Sequence, residues 1–135
     1  MSETWYSKIE GQVFSQIQYM LKDRENAPFP TLNCTTVNEN PNPADFPCLY
    51  LHELDPIERG NDLYNDSVNA VLHTIEVQVW TNEGQTSCKN IINTAVLELK
   101  RLRYNIIMLP TVKTSSGISW GVLRARRIIG SADTF

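Results

Sequence analysis

Apolar residues recur at three- and four-residue steps through Trp5, Ile9, Val13, Ile17 and Met20 or Leu21, while Lys8, Gln12, Gln16 and Lys22 fall on the other side. This spacing predicts an amphipathic helix over residues 5–23. Gly11 in its middle costs about 1 kcal/mol relative to alanine, so either a close neighbour needs the missing side chain or the helix leans on tertiary contacts. Pro28 and Pro30 cannot continue the helix, which should end near Arg24. A second stripe of Cys88, Ile91 or Ile92, Ala95, Leu99 and Leu102 predicts a helix over residues 83–103. Asn82, with Gln85 three residues on, offers it a capping-box-like start, and Lys100, Arg101 and Arg103 fall in its last turns, where cations meet the negative end of the helix dipole.

Period-two patterns account for most of the remainder. Residues 31–37 alternate and carry three threonines; 46–54 follow Asn38–Asp45, a run of turn formers with two prolines that reads as a loop. Pro47 would put the start of the second strand at a sheet edge or ahead of the ladder. The clearest strand covers 70–81, where Val71, His73, Ile75, Val77 and Val79 alternate with Leu72, Thr74, Glu76, Gln78 and Trp80. One face is aliphatic and the other mixed, which suits a central strand covered on one side. Strands over 106–112 and 118–129 are joined at hairpin length, with Gly117 available for a positive φ. Residues 55–69 carry Asp55, Glu58, Asp62 and Asp66 against Arg59 alone and read as a long, exposed acidic loop. The order of elements is that of an α+β domain: one unit over 1–135, with a mainly antiparallel sheet of about five strands and two main helices packed on one face.

Composition changes this picture chiefly through charge. The net charge of −3 hides a segregation: residues 1–88 hold 13 of the 15 acids and four of the 12 bases, a net of −9, whereas residues 89–135 hold eight bases against Glu98 and Asp133, a net of +6. Such polarity suits head-to-tail contacts between copies that close into a ring, and it equally suits neutralisation inside one domain. No apolar stretch approaches the roughly 18 residues of a membrane span, and the first residues lack the basic and apolar regions of a secretory leader, so cytoplasmic synthesis is expected. Cys34, Cys48 and Cys88 form an odd set with no C-x-x-C spacing and read as small buried hydrophobes, not a disulfide framework or zinc site.

Candidate chemistry is sparse. In Arg124-Ala-Arg-Arg127, alternation sends Arg124 and Arg126 to the face of Trp120 and Val122 and sends Arg127 to the opposite one. Arginines beside an aromatic suit a subunit contact, pairing with Glu53 or Glu76 on neighbouring strands, or a lumen or DNA contact. The acidic loop lacks the spacing of a calcium loop. Glu10, Asp66 and Glu76-Val-Gln78 resemble the carboxylates of metal-dependent nucleases, but glutamine stands where such enzymes often place lysine. No nucleophile elbow, phosphate loop or dinucleotide fingerprint is present, and no cofactor or metal is expected. Trp5, Trp80 and Trp120 read as core.

With its elements laid out, the chain resembles the tail terminator, or tail-completion, proteins of the head–tail joining region of tailed bacteriophages and prophages. The stretch that carries the resemblance is His73-Thr-Ile-Glu-Val-Gln-Val-Trp80, the Thr-Asn-Glu-Gly turn, the helix through Leu102, and the closing Arg-Ala-Arg-Arg-Ile-Ile-Gly-Ser-Ala-Asp-Thr-Phe. The resemblance implies a virion structural protein without enzymatic activity, made in the host bacterial cytoplasm. It would form a hexameric ring that caps the tail tube, stops its polymerisation and meets the head connector. Its partners would be further copies of itself, the tail tube protein and the connector or stopper proteins, with DNA passing through the lumen and no membrane contact. Another neck component, a head–tail adaptor or stopper, is the alternative within that class. Charge and exposure select Arg124, Arg126, Arg127, Arg101 and Arg103 for the subunit contact or lumen, and Asp55, Glu58, Asp62 and Asp66 for a docking loop.

Overall fold

A computed structural model describes residues 8–36, 46–54, 57–61 and 68–130, with backbone alone at 57–61 and 68–71. Helix α1 (Ile9–Gln18) continues into a π-helical turn over Tyr19–Asp23. Strands β1 (Asn33–Thr35), β2 (Cys48–Glu53), β3 (Ile57–Asn61) and β4 (Val68–Thr81) follow, then helix α2 (Gln85–Arg101) and the hairpin of β5 (Asn105–Ser115) and β6 (Ile118–Gly130). The result is an α+β fold in which two helices pack on one face of a sheet ordered β1-β2-β4-β6-β5, with β3 added beside β4. All pairings are antiparallel except the short β1–β2 edge.

β4 is central, as its two unlike faces predict. It pairs with β6 from Ala70↔Gly130 to Thr81↔Ser119 and with β2 from Cys48↔Trp80 to Glu53↔Ile75. Period-two alternation then turns Leu49, Leu51, Ile75, Val77, Val79, Leu123, Ala125 and Ile129 toward the helices, and all are buried. Ile9, Val13, Ile17 and Leu21 of the first helical stretch and Cys88, Ile91, Ile92, Ala95 and Leu99 of α2 close the same core. Each fully buried leucine or isoleucine contributes about 1.5–3 kcal/mol. Gly121 on β6 lets α2 approach, because an added Cβ would lie 3.0 Å from Ile92 Cδ1 and 3.1 Å from Val112 Cγ2. Among the described residues nothing lies within 4 Å of a Cβ at Gly11, so α1 leans on its buried stripe and not on a close approach there.

Three expectations are revised. The acidic stretch 55–69 is not one loop: Ile57–Asn61 forms β3, registered from Ile57↔Leu72 to Asn61↔Val68. β2 and β3 lie in line along β4, since Glu53 faces Ile75 and Ile57 faces Leu72. The alternation that marks a strand is hidden there by polar residues, while pairing to β4 supplies the missing drive. Second, α2 is not capped by Asn82. The Thr81 hydroxyl accepts from the Glu83 amide at 3.1 Å, and Gly84 takes a φ of 107° that a side chain rarely adopts, delaying the helix to Gln85. Third, the last hairpin runs to a two-residue turn, Ser116 and Gly117, with φ of 53° and 79°, the signs of a type I′ turn. No helix among the described residues is long and apolar enough to cross a membrane.

Candidate functional site

Because both described helices cover the same side of the sheet, the other side is left, among the described residues, to the alternate residues of the same strands. Tyr50 and His52 of β2, Thr74, Glu76, Gln78 and Trp80 of β4, and Trp120, Val122, Arg124, Arg126 and Ile128 of β6 share this open face. Register sets the partners: Trp80 faces Trp120, Gln78 faces Val122, Glu76 faces Arg124 and Thr74 faces Arg126. The two indoles stack at 5.7 Å between ring centroids, and Tyr50 stacks on His52 at 4.6 Å.

Glu76, 8% exposed, is the polar centre of the face. It accepts from Arg124 Nε at 2.8 Å and from Gln78 Nε2 at 2.8 Å, and His52 Nε2 lies 3.6 Å away. Trp80 Nε1 donates to Gln78 Oε1 at 3.4 Å, extending the chain to the aromatic pair. Burial pushes the Glu76 carboxyl up, but the hydrogen bonds from Gln78 and Arg124 and the nearby Arg124 and His52 charges outweigh it and hold the group below the usual range. Arg124 is therefore neutralised within the chain. Arg126, two residues on and exposed, makes no ion pair among the described residues, and Ile128 beside it is 61% exposed.

A second polar cluster lies inside, under the helices. His73 is fully buried, with Nδ1 at 2.8 Å from the Tyr104 hydroxyl and Nε2 at 2.8 Å from Glu53 Oε2. Burial lowers the His73 pKa against the opposing pull of Glu53, and burial raises that of Tyr104. Glu10 of α1 accepts from the Glu53 amide at 2.7 Å. The next amide, Leu54, donates toward β4, so Glu10 covers the outer edge of β2 where β1 has ended. Glu10 and Glu76 serve separate contacts and do not converge as a nuclease metal site would require; Asp66 lies outside the described residues.

The sequence-selected residues divide. Arg124 and Arg126 share the open face as alternation requires, but Arg127 is an interior residue, 6% exposed, whose Nη1 donates to the Leu102 carbonyl at 2.9 Å at the C-terminal end of α2. It is removed from the subunit-contact set because the helix occupies its side of the sheet. Arg101, exposed and 3.2 Å from Glu98, and Arg103, which ends α2 with a φ of 67°, belong to the helix layer and do not join the open-face arginines. Glu58 stands on β3 opposite Val71, while Asp55, Asp62 and Asp66 lie outside the described residues. Trp80 and Trp120 are half-buried members of the open face, not core; Trp5 lies outside the described residues. Cys48 and Cys88 are buried as expected and Cys34 half-buried, with burial pushing the Cys34 and Cys88 thiols up to about 11. Sequence reasoning missed the grouping of Tyr50, His52 and the two indoles; the parity of each strand carried the signal, but the register between strands did not. Comparison with models of protein families and with curated proteins gives no match.

Proposed function

We propose that the chain is a tail terminator: a virion structural protein without enzymatic activity whose copies close into a ring on the end of the tail tube. The ring stops polymerisation, offers a surface to the head connector and leaves a lumen for DNA. The uncovered sheet face carries this reading. A sheet side rich in Trp, Tyr and Arg that no helix among the described residues covers has the composition of a protein interface centre. The segregated charge supports it further. Internal pairing uses part of that charge, Arg124 with Glu76 and Arg101 with Glu98, while Arg126 makes no ion pair among the described residues. Head-to-tail rings need two unlike, complementary surfaces on one subunit.

The test is electron microscopy of phage particles made without the chain. Tails of irregular, excessive length that fail to join capsids are expected, and supplying the chain in trans restores uniform length. Tails of normal length already attached to capsids would end the reading.

A further inference from the structure

We infer that Lys113, Arg124 and Arg126, which border the open face on β5 and β6, form a track for the phosphate backbone of duplex DNA, bound without regard to base sequence. The inference rests on the ring reading for the source of the DNA and on three observations for its content. The first is the charge of the last hairpin, whose residues 105–130 hold four bases and no acid. Arg127 is interior. Register sends the other three to the open face, since Lys113 faces Trp120, which shares that side with Arg124 and Arg126. Glu76 is the one acid that register places on this face among the described residues, and it is engaged by Arg124. Lys113 and Arg126 are exposed and make no ion pair among the described residues.

The second observation is how Arg124 is held. Its Nε donates to Glu76 Oε2 at 2.8 Å, while Gln78 Nε2 donates to Glu76 Oε1 at 2.8 Å and fixes the carboxylate. The tether uses Nε alone. The two terminal nitrogens of this half-exposed guanidinium are left to donate outward as a fork, the geometry that suits a phosphate. The third observation is layout. Six residues of β6 separate Trp120, beside Lys113, from Arg126, so the row spans about 20 Å. One strand of DNA carries a charge about every 3.4 Å along its axis, a repeating anion that a row without interleaved acids can follow. A protein surface mixes the two signs, as Lys22-Asp-Arg-Glu25 does on this chain. Strand addition by a protein is opposed at this border, because the edge strand β5 carries Pro110 and shifts register at Ile106/Met108 and Met108/Thr111.

The experiment titrates full-length chains into fluorescein-labelled duplexes of about 10 base pairs, roughly 34 Å long, one A·T-rich and one G·C-rich, and reads anisotropy across a salt series. The chains are wild type, R126Q, K113Q, R126Q/K113Q, R126K and K89Q; Lys89 is an exposed base of α2, on the helix side. Wild type binds both duplexes alike, and log K falls against log salt with a slope of about −1.8 or steeper, the value for two neutralised phosphates. R126Q and K113Q each make the slope shallower by about 0.9 and the double variant by about 1.8. R126K, which keeps the charge, keeps the slope, and so does K89Q. No binding by wild type at low ionic strength, a wild-type slope in the double variant, or a loss as large in K89Q would each overturn the inference. So would a preference of more than about tenfold for one duplex, since backbone contacts carry no sequence information. Self-association lost in R126Q/K113Q while DNA binding is kept would overturn it too, giving the row to a second copy. These outcomes leave the terminator reading to the tail-length assay, and that assay's failure leaves the DNA track to the titration.

Discussion

Arg126 and Arg127 are adjacent in sequence and opposite in role. One strand step turns Arg126 to the open face and Arg127 under α2, where it donates to the Leu102 carbonyl. α2 ends there in a Schellman arrangement: Arg103 N–H donates to the Lys100 carbonyl and Tyr104 N–H to the Leu99 carbonyl. Arg127, reaching across from β6, meets an end that helix geometry leaves with unpaired carbonyls and a negative dipole. Replacing it with methionine leaves Leu102 without that donor, so Arg127→Met should lower unfolding stability by about 1–3 kcal/mol in urea titrations. Arg126→Met should change it by less than about 0.5 kcal/mol. Alternation alone separated the two residues. That a helix terminus waits for one of them depends on contacts between residues 25 positions apart and could not be read from spacing.

Among the elements, the long amphipathic and alternating runs were legible because their period is the period of the backbone that buries them. α2, β4 and β6 lie within a few residues of their expected spans. The elements that differ lack such a signal. β3 is polar and exists by pairing with β4, and the start of α2 is moved by the Thr81 hydroxyl and the conformation of Gly84. Two glycines predict opposite outcomes. Gly11 has open space around it among the described residues and no positive φ, so Gly11→Ala should raise stability by about 1 kcal/mol. Gly121 lies under Ile92 and Val112, so Gly121→Ala should lower it by about 1–3 kcal/mol by crowding the Ile92 and Val112 side-chain ends. Thermal unfolding of the two variants beside wild type measures both.

At the scale of the molecule, the buried cluster ties the layers together: Glu10 from α1, Glu53 from β2, His73 from β4, Tyr104 at the junction of α2 and β5, and Arg127 from β6. Because burial lowers the folded-state pKa of His73, the unfolded chain takes up a proton first as pH falls. Stability should therefore hold above about pH 6.5 and decline below it, through the lowered folded-state value, before Glu76 adds its own loss below its ordinary 4.5. Urea midpoints measured from pH 7.5 to 5 should show the decline, and His73→Gln should flatten it. Sequence by itself determined the class of fold, the two helical stripes, the central strand and the two-faced character of its neighbours, because burial repeats with the local geometry of helix and strand. Which mixed faces join into one surface, which arginine is interior, and which side of the sheet stays open were decided by register and by both helices packing on one side. Those choices are made by pairings between distant segments, whose free energy no local pattern encodes.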